Sequence, residues 1–119
     1  MIFEILYTVD FIAAFLRHPH YIPTSKINDF KKELTKILIQ HYVNHWDVRN
    51  PRKFKKFRSI KFSYHIDNNI LKAWTKIKIP VYVAKSVFPT DLLIYCDPKS
   101  VTYTHKQKTR TLFKSLTHV

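Results

Sequence analysis

The sequence predicts an α+β domain in which a small antiparallel β-sheet packs against N-terminal α-helices. Apolar residues recur at three- and four-residue spacing through the first 46 positions, which is the period of an amphipathic helix. Beyond position 56, several short segments instead alternate with a period of two, which indicates strands. Because helices precede most strands, we expect them to cover one face of one sheet. The chain contains no repeats or linkers, so residues 1–119 are expected to form a single domain.

The N-terminal part is predicted to contain two helices. The first spans residues 2–17 and is expected to end at the His-Pro pair at 18–19, because a residue before proline is pushed away from helical angles. The second is expected to begin with Thr24 or Ser25 as its cap and to run to about Trp46. The predicted buried positions are Ile2, Ile5, Leu6, Val9, Ile12, Ala13 and Leu16 in the first helix, and Ile27, Phe30, Leu34, Ile37, Leu38, His41 and Tyr42 in the second.

A basic loop and a short strand follow the second helix. Residues 47–56 are irregular and basic, and the segment FRSIKF at residues 57–62 alternates as a strand. Successive side chains of a strand point to opposite faces, so the alternation predicts which of them are solvated. We expect the solvated face to carry Phe57, Ser59 and Lys61, and the other face to carry Arg58, Ile60 and Phe62.

A third helical region is predicted between the first strand and the remaining ones. The segment DNNILKAWTKI at residues 67–77 has a good cap in Asp67 or Asn68, and Pro80 is expected to end the helix. Residues 81–88 are expected to add a further helical turn or two. The inward side chains of the short helix are predicted to be Ile70, Leu71 and Trp74.

Three further strands are predicted in the C-terminal part. The segment DLLIYCDP at residues 91–98 alternates, and residues 100–105 and 109–116 are expected to form a hairpin joined by the polar residues 106–108. In the first of these strands, one face is predicted to carry Leu92, Ile94 and Cys96, and the other Leu93, Tyr95 and Asp97.

Composition excludes several classes of function. The chain contains no glycine, so glycine-rich phosphate loops and dinucleotide fingerprints cannot form. Its single cysteine cannot form an internal disulfide, and neither a membrane span nor a signal peptide is predicted. We therefore expect a soluble protein of the cytoplasm or nucleus. The formal net charge of +13 predicts attraction to phosphates or acidic partners.

Catalytic and metal chemistry are poorly supported by the residue pattern. His41 and His45 have the i, i+4 spacing that presents two imidazoles to one metal, but no second motif supplies further ligands. The eight carboxylates form no recognisable acid/base arrangement, and Cys96 alternates with apolar residues as a buried, inert thiol would. The sequence therefore predicts no enzyme, no metal, no cofactor and no small-molecule substrate.

The basic loop raises the possibility of RNA binding. Cations that contact phosphates, interleaved with aromatic rings on which bases stack, are typical of proteins that bind single-stranded RNA. The candidate residues are Arg49, Arg52, Lys53, Phe54, Lys55 and Lys56. The alternative is a solvated loop in a basic protein, and the residues alone leave that choice open. In this hypothesis the chain is a basic RNA-binding or self-assembling domain.

A second candidate surface follows from strand alternation. Phe57 and Tyr95 are both predicted to point away from the helices, and Asp97 lies beside Tyr95 on the same face. Exposed aromatics next to a single charge are typical of a protein–protein hot spot. The alternative, two unrelated surface aromatics, stays open on composition alone.

Two long segments carry a resemblance to a known family. HYVNHWDVRNPRKFKKFRSIKF at residues 41–62 resembles the first signature box of the BTG/Tob antiproliferative family, approximately HYxxHWxPxxPxKGxGYRCIRI. VFPTDLLIYCDPKSVTY at residues 87–103 resembles the second, approximately LLPSELTLWVDPxEVSYRI. The resemblance extends from the first helix to about Leu116. It implies a non-enzymatic adaptor that binds the Caf-type deadenylase of the CCR–NOT complex, promotes shortening of mRNA poly(A) tails and restrains proliferation or directs cell fate.

The resemblance also implies which residues contact the deadenylase. The family's contact aromatic in the first box aligns with Phe57, its tryptophan in the second box with Tyr95, and its aspartate two positions on with Asp97. The helix end is expected to support that surface through His41, Tyr42 and Trp46.

The chain departs from the family pattern at several of these positions. Phe57 lacks the hydroxyl of the family's tyrosine, and Tyr95 is a smaller anchor than tryptophan. Replacing the anchor is expected to cost about 1–3 kcal/mol of binding free energy. Phe54 and Lys56 replace two glycines, which is expected to change the path of the loop.

Overall fold

The computed structural model describes residues 1–17 and 22–115, and in them four helices and four strands form an α+β fold. The helices are α1 (Ile2–Ala14), α2 (Thr24–Tyr42), α3 (Asn68–Lys76) and α4 (Val81–Val87). The strands are β1 (Ser59–Phe62), β2 (Leu92–Asp97), β3 (Ser100–His105) and β4 (Lys108–Lys114). All neighbouring strands are antiparallel and follow the order β1-β2-β3-β4. The predicted fold class is confirmed.

The helices cover one face of the sheet and leave the other open. Ile60 of β1 and Ile94 of β2 belong to the same buried apolar cluster as Val9 of α1, Leu34 of α2 and Trp74 of α3. Removing this apolar surface from water is the main favourable contribution to folding. Among the described residues, no helix is both long and apolar enough to cross a membrane.

Helix α1 is shorter than predicted, and its buried stripe is rotated. It ends at Ala14 rather than at residue 17. The prediction that Ile2 and Leu6 are buried is wrong, since both are exposed, whereas Glu4 and Thr8 are buried. Glu4 is satisfied there, because its carboxylate accepts a hydrogen bond from a backbone N–H of the β2–β3 turn at 2.9 Å and pairs with the N-terminal amine at 3.2 Å. The other predicted positions of the stripe, Ile5, Val9, Ile12, Ala13 and Leu16, are buried as expected.

Helix α2 also differs from the prediction at both ends. It begins at Thr24, but the N-cap residue is Pro23 and no side chain caps the helix, so the predicted Thr24 or Ser25 cap is wrong. The helix ends at Tyr42, four residues before the predicted end at Trp46. A turn follows in which the N–H of His45 donates to the Tyr42 carbonyl at 2.8 Å. The predicted helix break at residues 18–19 lies outside the described residues.

The C-terminal elements agree closely with their predictions. Asp67 caps α3 by accepting hydrogen bonds from the N–H groups of Asn69 and Ile70 at 2.9 and 3.2 Å. Helix α4 forms where further helical turns were expected. In β2, Leu92, Ile94 and Cys96 are buried, while the alternate residues Leu93, Tyr95 and Asp97 are partly exposed. Strand β4 ends at Lys114, and the last residue of the predicted strand, 116, lies outside the described residues.

The absence of glycine is accommodated by residues that carry a side chain at positive φ. The hairpin between β3 and β4 turns through Lys106 and Gln107, whose φ angles are 51° and 67°. Lys78, Lys99 and Phe54 also adopt positive φ. The left-handed conformation costs an L-residue about 1–2 kcal/mol, so the surrounding structure must offset that cost at each turn.

Candidate partner-binding site

A buried arginine, Arg58, organises the end of the sheet where β1 begins. Its side chain has no exposed surface, and its guanidinium donates five hydrogen bonds of 2.6–3.0 Å, which uses every N–H it has. The acceptors are the backbone carbonyls of His45, Pro51, Lys53 and Cys96 and the Oδ1 atom of Asp97. One side chain therefore connects the end of α2, the basic loop and the end of β2.

Alternation predicted that Arg58 points away from solvent, but it did not predict the role of this residue. The predicted strand of residues 57–62 is wrong at its start, since Phe57 and Arg58 lie in a 3-10 turn, Lys55–Arg58, and β1 begins at Ser59. The two side chains still point to opposite sides, as expected. The only sequence signal for this role of Arg58 is its inward-facing position in a segment that resembles the first family box.

The carboxylate of Asp97 is paired with two cations of the same domain. Its Oδ1 atom accepts from Arg58 Nη1 at 2.6 Å, and its Oδ2 atom lies 3.4 Å from Lys55 Nζ. The side chain is only 13% exposed. Asp97 thus lies on the expected face, but each of its two carboxylate oxygens already has a partner within the domain. Its contact with a partner stays a prediction.

Phe57 presents a flat ring that is supported from one side. It is 51% exposed, while one of its faces stacks on the His45 imidazole with a centroid distance of 4.4 Å and an interplanar angle of 19°. Phe54 contacts both rings edge-on, at centroid distances of 5.2 and 6.3 Å. The 3-10 turn fixes the backbone, because the Phe57 N–H donates to the Phe54 carbonyl at 3.0 Å. The free face of Phe57 is therefore a preformed platform.

The two histidines of the i, i+4 pair hold this platform in place. His41 donates from Nε2 to the Phe57 carbonyl at 3.0 Å, and His45 donates from Nδ1 to the His41 carbonyl at 3.0 Å. Each imidazole thus commits one ring nitrogen to a backbone carbonyl. In residues 1–17 and 22–115, no group of three or more histidine, cysteine, aspartate or glutamate residues is placed to hold a metal.

Tyr42 and Trp46, predicted to support the surface, both contact Arg58: Tyr42 is the last residue of α2, and Trp46 lies four residues beyond it. Tyr42 is fully buried, and its hydroxyl donates to the Arg58 carbonyl at 3.3 Å. Burial raises the pKa of Tyr42 well above its usual value, so the hydroxyl keeps its proton at physiological pH. The ring of Trp46 stacks on Tyr42 and lies 5.3 Å from the Arg58 guanidinium. Trp46 thus packs against the Arg58 guanidinium, while Tyr42 holds the Arg58 backbone.

Cys96 has the buried position predicted for it. It is fully buried in β2, and this burial raises the pKa of its thiol to about 12. The thiolate, which is the reactive form, is therefore negligible at physiological pH.

The exposed side of this region is an open cleft of about 520 Å³. It is lined by Arg52, Phe54, Lys55, Lys56, Phe57 and Tyr95. The structure thus brings the two predicted contact aromatics together with four of the predicted RNA-binding residues. Arg49 and Lys53 are exposed on the same loop but do not line the cleft. The side chain of Lys55 reaches across the cleft. Its Nζ atom lies 4.4 Å from the centre of the Tyr95 ring and also pairs with Asp97 Oδ2.

The model of the BTG family matches residues 1–114. The chain belongs to the BTG family. BTG1 of Gallus gallus is 30% identical to this BTG-family chain over 103 residues, which are 87% of the chain and 61% of BTG1. Tob1 of Rattus norvegicus is 30% identical over 100 residues, which are 84% of the chain and 27% of Tob1. The chain therefore spans about three fifths of BTG1 and a quarter of Tob1.

The fold of this BTG-family chain is also that of a solved relative. The BTG/Tob domain of FOG-3 from C. elegans matches with a TM-score of 0.87 over 97% of this chain and 91% of that domain. The two sequences are 20% identical, so the comparison speaks to the fold.

The loop of this BTG-family chain has a glycine-like backbone at Phe54, where the resemblance to the first family box places a glycine. Phe54 has φ 64° and ψ 20°, the left-handed conformation that glycine adopts most readily. A phenylalanine at this angle is strained by about 1–2 kcal/mol. Its contacts with His45 and Phe57, together with Lys53 Nζ at 5.0 Å from its ring centre, offset part of that strain.

Proposed function

We propose that this BTG-family domain is a non-enzymatic adaptor that binds a Caf-type deadenylase of the CCR–NOT complex. By recruiting the deadenylase to mRNA, it promotes poly(A) shortening in the cytoplasm or nucleus, with an antiproliferative or cell-fate role. The observation that carries the proposal is that Phe57 and Tyr95 line one open cleft. These positions align with the family's contact aromatics.

The cleft has the physical properties of a binding hot spot. Hot spots are dominated by a few aromatic side chains that become desolvated in the complex. Phe57 is already fixed by His45 behind it and by the hydrogen bond that its carbonyl accepts from His41. A ring that is ordered before binding loses little conformational entropy on association, which favours affinity.

Lys55 is the side chain that a partner has to displace or contact. It covers one face of Tyr95 and pairs with Asp97, yet it is 43% exposed. An exposed ion pair of this kind contributes about 0–1 kcal/mol, so moving it costs little. Displacement would free the Tyr95 ring and Asp97 Oδ2 for the partner, while Arg58 still holds Oδ1.

Binding of the purified domain to the Caf-type deadenylase of its own organism tests this proposal. Phe57→Ala and Tyr95→Ala are each expected to weaken binding by about 30-fold or more, the effect of losing a hot-spot residue worth at least about 2 kcal/mol. Tyr95→Trp, which restores the family anchor, is expected to strengthen binding by about 5- to 150-fold, which corresponds to about 1–3 kcal/mol.

Tyr64→Ala is the matched control, because Tyr64 is an aromatic residue that is 85% exposed beyond the opposite end of β1. It is expected to bind like the parent domain. Failure of the parent domain to bind at micromolar concentration would overturn the proposal. So would equal losses for Tyr64→Ala and Phe57→Ala.

A further inference from the structure

We propose that the free face of Phe57 is a stacking site for one base of single-stranded RNA, with Arg52 and Lys56 neutralising the flanking phosphates. This site goes beyond the proposed adaptor function and does not rest on it. It uses the loop side of the cleft and shares Phe57 with the proposed deadenylase surface, whose strand side carries Tyr95.

The first argument is the geometry of the platform. A base stacks on an aromatic ring only if one whole face of that ring is accessible and the ring is held flat. His45 covers one face of Phe57 nearly parallel to it, at 4.4 Å and 19°, while Phe57 retains 51% of its surface exposed. Stacking on aromatic side chains is the sequence-tolerant component of single-strand binding and contributes about 1–3 kcal/mol per base.

The second argument is the charge of the lining. All charged residues that line the cleft are cations, namely Arg52, Lys55 and Lys56. The acidic group that contacts one of them, Asp97 beside Lys55, is also paired with Arg58. Because Lys55 is occupied by Tyr95 and Asp97, the exposed Arg52 and Lys56 are the cations left for a ligand. A ligand with a flat ring between two negative charges matches this arrangement.

The third argument separates RNA from an acidic protein segment. An acidic peptide would satisfy the cations, but its carboxylates gain nothing from a flat aromatic face. A nucleotide uses both features at once, and the cleft volume of about 520 Å³ falls within the range of small-ligand pockets, about 300–1,000 Å³.

The test measures the affinity of the whole chain for a fluorescently labelled oligoadenylate of about 10 nucleotides by anisotropy, at about 50 and 200 mM salt. Phe57→Leu removes the flat ring and keeps an apolar side chain. It is expected to weaken binding by about 5- to 150-fold at both salt concentrations, which is the loss of one stacked base. Phe57→Trp is expected to bind as well as the parent or better. Tyr64→Leu, the control aromatic at the other end of β1, is expected to change nothing.

The charge component has its own pair of variants. Arg52→Ala with Lys56→Ala is expected to reduce the slope of log affinity against log salt by about 1.4, the contribution of two phosphate contacts on a single strand. The matched double variant, Lys106→Ala with Lys108→Ala, removes the same charge from the β3–β4 hairpin and is expected to leave affinity nearly unchanged. Circular dichroism establishes that each variant is folded.

Four results would overturn the proposal. Equal weakening by the two double variants, with Phe57→Leu unchanged, would show only non-specific attraction to a basic protein. Binding of double-stranded RNA as tight as that of oligoadenylate would exclude stacking on Phe57. If polyglutamate displaced the oligoadenylate and its own binding were weakened by Phe57→Leu to the same extent, the cleft would be assigned to an acidic protein segment. If Phe57→Leu lost deadenylase binding but kept the parent's affinity for RNA, the adaptor proposal would stand and the stacking site would be refuted.

Discussion

The two ends of the sheet are attached to the helices by different chemistry. Where β1 begins and β2 ends, Arg58 forms directional hydrogen bonds with three separate segments. Where β1 ends and β2 begins, rings pack against rings. Phe88 lies 5.3 Å from Phe62 and 5.8 Å from Trp74, and Phe30 lies 5.8 Å from Trp74 between centroids.

This difference teaches that stability and surface geometry are controlled at separate places. Packing of apolar rings is non-directional and tolerates substitutions that conserve volume. A buried guanidinium loses its hydration and adds little net stability over an apolar alternative, but it fixes every group it binds. The groups that Arg58 binds include two carbonyls of the basic loop and the carboxylate of Asp97, two residues after Tyr95. The polar end therefore determines the shape of the cleft.

Removing the arginine is expected to have the largest effect. Arg58→Ala leaves Asp97 and four carbonyls without their donor and is expected to lower the free energy of unfolding by about 3–5 kcal/mol, measured by urea denaturation. Tryptic cleavage within the loop at residues 49–56 is expected to accelerate as well.

Two further variants make the arginine experiment specific. Arg58→Lys keeps the charge but cannot reproduce the forked hydrogen bonds, so the loop is expected to become more sensitive to protease even where the domain stays folded. Lys61→Ala, on the exposed face of β1, is expected to change stability by no more than about 0.5 kcal/mol. A loss below about 1 kcal/mol in Arg58→Ala would show that water replaces the arginine and that Arg58 does not hold the loop.

A change at the apolar end is expected to cost less and to leave the loop intact. Trp74→Phe keeps an aromatic ring in the cluster but removes the Nε1–H that donates to the Ile79 carbonyl at 2.9 Å. We expect a loss of about 1–2 kcal/mol in the free energy of unfolding, from the hydrogen bond and the reduced volume. Tryptic cleavage of the loop, measured under native conditions, is expected to match the parent. Faster cleavage would mean that the two ends of the sheet are coupled.

The parts of the site that follow from local periodicity were predictable from the sequence. Strand alternation places Tyr95 on the solvated side without any knowledge of tertiary structure, because side chains alternate with a period of two. Phe57 is exposed as alternation predicted, although it lies in the 3-10 turn before β1 and not in the strand itself. The cap at Asp67 was equally predictable, since a capping carboxylate depends only on the two or three residues that follow it.

The parts that depend on distant partners were not predictable. The acceptors of Arg58 come from positions 5 to 39 residues away in the chain, and no local pattern brings them together. Glu4 is a similar case on α1: hydropathy assigned the buried face to Ile2 and Leu6, but the carboxylate is buried because a backbone N–H 95 positions away satisfies it. A charged residue on a buried face is stable only with such a partner, and a single sequence does not reveal the partner.

The smallest effect is expected from replacing Asp67, whose carboxylate has different surroundings from that of Asp97. Arg58 and Lys55 compensate the charge of Asp97, whereas burial raises the pKa of Asp67 above its usual value of 3.8. A raised pKa means that the native state holds the proton of Asp67 more tightly than the unfolded state. Ionised Asp67 therefore disfavours folding above that pKa, and the penalty disappears as the pH falls towards 3.8. Asp67→Asn keeps the cap, since asparagine caps about as well as aspartate, and removes the charge.

Urea denaturation of Asp67→Asn and the parent across the acid range checks this sign. At neutral pH the variant is expected to equal the parent or exceed it slightly, by about 0.5 kcal/mol, and the advantage is expected to shrink as the pH is lowered. Asp67→Ala removes cap and charge together and is expected to be less stable than Asp67→Asn by about 1 kcal/mol at every pH. An advantage that grows on acidification would mean that the charge of Asp67 is stabilised in the fold, as that of Asp97 is. The contrast between Asp97, which is paired with two cations, and Asp67, which is held only by backbone N–H groups of its helix, would then fail.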